Sequence, residues 1–150
     1  MVLAVLFYDV VKWFHIMAVV VAFGGAFLYP IWFRFLQGAP ADQRVFFHRS
    51  QATFGKFVIS PGLLLILISG AYLASDRHSW SQAWVTVPLI IVFILGGLSG
   101  MYFGPREQRL SELREGAEYE ALFRQVTLVT WAALGLVLLA AFFMVTKLGS

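Results

Sequence analysis

Four long apolar runs decide what this chain can become. Residues 10–33, 57–74, 83–103 and 126–146 each approach or exceed the roughly 20 apolar residues a helix needs to cross the hydrocarbon core of a bilayer. The last two runs hold no charged side chain. Continuous apolar runs call for helices, because a membrane barrel would show ten-residue alternations instead. The expected fold is therefore all-α: one four-helix transmembrane bundle spanning residues 1–150. Composition agrees, since a chain that is 60% hydrophobic and only 13% charged has more apolar side chain than a soluble core can use. The start, MVLAVLFYDVV, has no basic residue ahead of its apolar stretch and no clean small-x-small cleavage site. It reads as the lead-in to a retained first span rather than a secretory signal.

Charge sets the expected orientation. Arg34, Arg44, Arg49 and Lys56 lie in the first connection, and Arg106, Arg109, Arg114 and Arg124 in the third. Against these, the second connection carries Arg77 and the tail carries Lys147. The positive-inside rule then puts the two long connections in the cytoplasm and both termini outside it, in the inner membrane of a bacterium. A formal net charge of +3 distributed in this way reports orientation, so nucleic acid is not an expected partner and the bilayer is. Both cytoplasmic connections read as partly helical. Pro40 opens a short helix through ADQRVFFHR, and Gly116 marks a turn in a helical hairpin that carries spans three and four past the membrane. Glu120 and Arg124 have the i, i+4 spacing of a surface ion pair. Pro61 and Pro88 fall near span starts, where a missing amide donor costs least.

Gly96, Gly100 and Gly104 recur every fourth residue on the third span, the spacing that lets helix backbones approach closely. Packing within the bundle is the default use of that face, and a second copy of the protein is the other.

The first span carries the residue that most invites a function. On a helical wheel Tyr8, Lys12, His15, Ala18, Ala22, Gly25, Ala26 and Tyr29 form one stripe, so His15 faces the bundle interior above a surface of small residues. That surface suits either close helix packing or a flat ligand. A structural reading makes His15 a buried hydrogen-bonder and Lys12 a side chain snorkelling to the headgroups. A functional reading makes His15 an axial ligand of haem iron and Lys12 a partner for a porphyrin propionate. His48 falls in the first long connection and His78 in the short one, and no pair of histidines has the spacing of a zinc site. With no cysteine, thiolate metal sites and cysteine nucleophiles are excluded. No acid–base pair, nucleophile motif or phosphate-binding loop stands out. A second axial ligand, if there is one, would be His78 or Met144.

Lys12-Trp-Phe-His15-Ile, then Gly24-Gly25-Ala-Phe27-Leu-Tyr29-Pro30 and Arg34, resembles the first span of the small bacterial haem-binding membrane proteins of the protoporphyrinogen IX oxidase type. Lys56-Phe-Val-Ile-Ser-Pro61, ending at Ser69-Gly70, is similar to their second span, and the likeness extends more loosely to the copper-resistance membrane domain superfamily. Length and texture also resemble an uncharacterised group of bacterial integral membrane proteins. The third span departs from the oxidase pattern, carrying none of its basic or histidine residues. The resemblance implies a b-type haem or another porphyrin used for redox chemistry, with His15 at the place of the axial ligand. The alternative is a non-enzymatic scaffold, accessory subunit or small-solute carrier. A proton-coupled transporter is a third class, for which the spans show no second titratable group.

Overall fold

The computed structural model describes residues 2–149, and among them it holds helices and turns but no strand. Four helices are long and apolar enough to cross a membrane: α1 (Leu6–Leu36), α2 (Ala41–Asp76), α3 (Ala83–Leu113) and α4 (Ala117–Thr146). All four outrun the apolar segments that announce them. The flanking residues are rich in Ala, Arg, Gln, Glu and Leu, all good helix formers, so nothing stops the helix where hydrocarbon gives way to water. Pro40 caps the start of α2 with an extended backbone, as its place in the sequence suggests. The helix it opens is not a separate short one, however; it continues into the second span as a single 36-residue rod. Gly116, with φ of 104°, supplies the turn between α3 and α4 that most residues could not adopt.

Three of these rods are locally rewound, each just before a proline. A proline inside a helix removes a donor and presses its ring on the carbonyl four residues back. Those carbonyls belong to Ala26, Phe57 and Met101 for Pro30, Pro61 and Pro105. Each lies within a distorted turn: a 3-10 turn at Gly25–Leu28, and π turns at Gly55–Ile59 and Leu98–Phe103. The rewinding shifts the crowded carbonyl off the ring. Pro61 still stands near the start of its apolar run, but the helix has already begun at Ala41, so the missing donor falls in the interior of α2 and not at a helix start.

The bundle is built from two antiparallel pairs, α1 on α2 and α3 on α4, joined where α2 meets α3. Close approach in the first pair depends on Gly62, where an added Cβ would lie 2.7 Å from the Cβ of Ala22. Near the turns at residues 37–40 and 114–116, here called the basic end, the last turns of α1 also reach α4, and the start of α2 packs along the end of α3. Ala22, Phe23, Leu63, Ile66, Ile91, Leu95 and Val137 form the mid-bundle core. Phe33, Leu36, Leu110, Tyr119, Phe123 and Val126 form a second core at the basic end. Leu64, Ile68, Phe93, Leu128, Trp131 and Phe142 point outward and are exposed. An apolar exterior of this extent is what a lipid solvent accommodates.

The glycines of α3 are not used for packing within the bundle. Positions where Gly96 and Gly100 would carry a Cβ meet nothing within 4 Å. Gly100 and Gly104 instead border a cleft described below.

Candidate functional site

Two histidines are buried, and the structure treats them differently. His15, on α1, is 8% exposed and lies against α2. Its Nδ1 is 2.8 Å from the Ser69 hydroxyl. That hydroxyl donates to the Leu65 carbonyl at 2.5 Å, so it accepts from His15 Nδ1–H. Nε2 is left with a lone pair and has no protein partner among the described residues. The ring sits where Gly70 makes room, since a Cβ there would lie 3.2 Å from His15 Cε1. The small-residue stripe faces inward as expected through Ala22 and Ala26, both buried. Lys12 does not share that environment: it is exposed. His78 is exposed in the turn between α2 and α3, with φ of 51°. Met144 is half-buried near the end of α4.

At the basic end a second group assembles from three helices. His48 of α2 is 0% exposed, Glu107 of α3 is 5% exposed and Tyr119 of α4 is 1% exposed. His48 Nδ1 is 2.6 Å from Glu107 Oε2, and Nε2 is 2.8 Å from the Tyr119 hydroxyl. A carboxylate only accepts, so Nδ1–H donates to Glu107 and Nε2 is free to accept from the phenol. The three form a hydrogen-bonded relay running from α4 through α2 to α3. Arg44 closes its outer side. Its guanidinium lies 4.9 Å from the centre of the Tyr119 ring and donates to the carbonyls of Gln37 and Ala39 and to Glu120 Oε1. Glu120 thus pairs with Arg44 at 3.1 Å, in place of the pair with Arg124 that helical spacing suggested.

Glu107 also faces inward. It borders a cavity of about 80 Å³ lined from all four helices, mostly by apolar groups, with Tyr29, Gln51 and Ser99 among the polar exceptions. Gln51, Gly55, Ser99, Phe103 and Glu107 are shared with a cleft of about 320 Å³ between α2 and α3, which continues past Lys56 and Gln108. The two π turns pack against one another here. Beside them the Ser60 and Ser99 hydroxyls are 3.2 Å apart. Glu107 Oε1 has no protein partner among the described residues. Also among the described residues, no group of three or more His, Cys, Asp or Glu side chains could hold a metal ion.

His48, Glu107 and Tyr119 escape a reading of the sequence because each stands alone in it. One signal was available. Glu107 falls in register with Phe103 and Leu110, and Tyr119 with Phe123 and Val126, so both lie on apolar stripes of otherwise polar helical extensions. An acid on such a stripe is buried and must find a partner.

No protein-family model, curated protein or solved structure matches this chain.

Proposed function

We propose that the protein is a multi-pass membrane protein that takes up a small, mainly apolar solute in the cavity between its four helices. It is non-enzymatic, and the His48–Glu107–Tyr119 relay forms the polar floor of the site. One observation carries this reading: Glu107, 5% exposed and held through Oε2 by His48, lines both the apolar cavity and the cleft that adjoins it, so its carboxylate is open to whatever enters them. An acid placed at the edge of a mainly apolar cavity is the kind of convergent polar group that orients a bound solute. Two facing π turns at the same level add weight, since such turns recur at binding sites. The excess of basic residues in the two long connections supports a cytoplasmic position for this end of the bundle, in a bacterial inner membrane with both termini outside.

Saturation-transfer NMR on the protein in nanodiscs, using benzyl alcohol, benzylammonium and benzoate, tests the site. At least one probe receives magnetisation from the wild type and loses it in Ala133→Phe, which fills the cavity from α4. No transfer to any probe, or transfer indifferent to that substitution, ends the reading. Because the chain has no cysteine, single cysteines at Ser81 and Gln108 test orientation: an impermeant thiol reagent applied to whole cells labels the first and spares the second.

A second reading rests on the other histidine. Ser69 fixes the His15 tautomer and leaves Nε2 with a lone pair, the arrangement in which protein-bound histidines meet a metal. His15 would hold the iron of a b-type haem, which would supply one-electron redox chemistry. Lys12, being exposed, adds nothing to that site in this conformation. A reduced-minus-oxidised spectrum of protein from haem-replete cells decides the matter. A haem band that disappears in His15→Ala supports it, and a colourless wild type removes it.

A further inference from the structure

Resting on the solute reading above, we infer that the cavity selects a small hydrophobic ammonium ion, held by Glu107 Oε1, over neutral or anionic molecules of the same shape. The argument begins with the charges that face the cavity. Glu107 is the acid in its lining, and no Lys, Arg or His side chain lines it. The groups facing Glu107 from the packed helices are His48 on α2, Tyr119 on α4 and Tyr29 on α1. His48 occupies Oε2 through Nδ1–H, and its own Nε2 is taken up by Tyr119. Oε1 has no protein partner among the described residues, and Glu107 borders both the mainly apolar cavity and the cleft that adjoins it.

An acceptor in that setting binds a charged donor more strongly than a neutral one, because a charge-assisted hydrogen bond is roughly twice as strong and the low local dielectric amplifies the difference. An anion there would meet the carboxylate with no cation to offset it. Aromatic rings reinforce the preference. Phe23, Tyr29 and Phe103 line the same cavity, and ring faces attract cations. Lys56 borders the adjoining cleft, as Glu107 also does, but not the cavity; it forms no ion pair with Glu107, and its ammonium lies 5.4 Å from the Phe57 ring centre.

Size narrows the class. The cavity admits about 80 Å³ and opens through Gln51, Ser99 and Phe103 to a cleft of about 320 Å³. The cavity alone is smaller than the roughly 150 Å³ that holds a benzene ring, so a single-ring or short-chain amine would extend across cavity and cleft, with its ammonium at Glu107, which borders both. The open glycine positions on α3 then have a use. Gly100 and Gly104 border the cleft, and side chains there would narrow the way in.

Benzylammonium, benzyl alcohol and benzoate share one shape and differ in charge, so equilibrium dialysis of the three against the full chain in nanodiscs tests the inference without any variant. Benzylammonium is expected to bind at least tenfold more tightly than benzyl alcohol, and benzoate not to bind. Glu107→Gln should abolish the difference between the first two, with circular dichroism confirming that the helices persist. Equal binding of alcohol and ammonium by the wild type, lost in Ala133→Phe, overturns the charge selection while leaving the solute site standing. Absence of binding by all three overturns both. Retention of ammonium selectivity in a folded Glu107→Gln protein also overturns the assignment to that carboxylate.

Discussion

His15 and His48 are both buried imidazoles in an apolar bundle, and they are held in different ways. His15 is tied to one neighbouring helix only, through the Ser69 hydroxyl with the Ile66 carbonyl beside it, and that hydroxyl keeps its own backbone partner. His48 is tied at both nitrogens, to side chains on two other helices, neither of which has a second protein partner among the described residues. The contrast teaches that burial alone does not measure how much a polar residue matters to a fold. What counts is how many other buried groups would be stranded by its removal.

The sharpest way to break this comparison is to truncate both histidines. His48→Ala leaves the Glu107 carboxylate and the Tyr119 phenol without their partner in a nearly water-free core. Losing one member of such a buried set costs about 3–5 kcal/mol. His15→Ala removes one hydrogen bond and leaves Ser69 satisfied by Leu65, so the loss is about 1–2 kcal/mol, most of it from the space vacated by the ring. Unfolding of both variants in mixed micelles, followed by helical circular dichroism, should show His48→Ala unfolding well before His15→Ala. Equal losses would mean that the relay is no more than two independent contacts.

A reader of the sequence alone is drawn to the weaker of the two. His15 interrupts hydrocarbon, where any ionisable side chain is conspicuous. His48 sits among Asp42, Arg44 and Arg49, where it passes for surface. The four spans were legible for the same reason that His15 was, because apolar length is a one-dimensional signal. Helix ends were less so. Lys56 and Arg106 mark the edge of hydrocarbon, but they do not end a helix, and the rods continue beyond it. The relay was hidden because its members are 59 and 71 residues apart in their pairings, and only tertiary packing brings them together. The ion pair of Glu120 failed for a related reason. Local spacing offered Arg124, whereas Arg44, already anchored to two carbonyls, is pre-positioned and gives up less freedom on pairing.

Ser69→Ala sharpens the comparison from the other side. It removes the acceptor of His15 Nδ1–H without touching the imidazole, and the cost is about 1 kcal/mol. The ring is then free to exchange tautomers. If the histidine meets a metal, the same substitution should also shift the absorption of the bound group while leaving His48 and its partners unaffected. A stability loss as large as that of His48→Ala would show that the α1–α2 contact depends on this one hydroxyl, and would erase the distinction between the sites.

The smallest expected effect lies at the rim of the relay. Glu120 is more than half exposed and meets Arg44 at 3.1 Å. Arg44 itself is mostly covered and keeps its bonds to Gln37 and Ala39, together with its place over Tyr119, whether or not Glu120 carries charge. Glu120→Gln should therefore cost no more than about 0.5 kcal/mol, less still at high salt, as for other exposed pairs. Arg44→Gln is the informative counterpart: it strips two carbonyls of their donor and uncovers the Tyr119 ring. If the relay is sealed by Arg44, amide exchange near Tyr119 rises in Arg44→Gln and stays at the wild-type rate in Glu120→Gln. Equal exchange in the two variants would mean that the seal comes from the packing of Phe33, Leu110 and Phe123, which surrounds the relay at this end of the bundle.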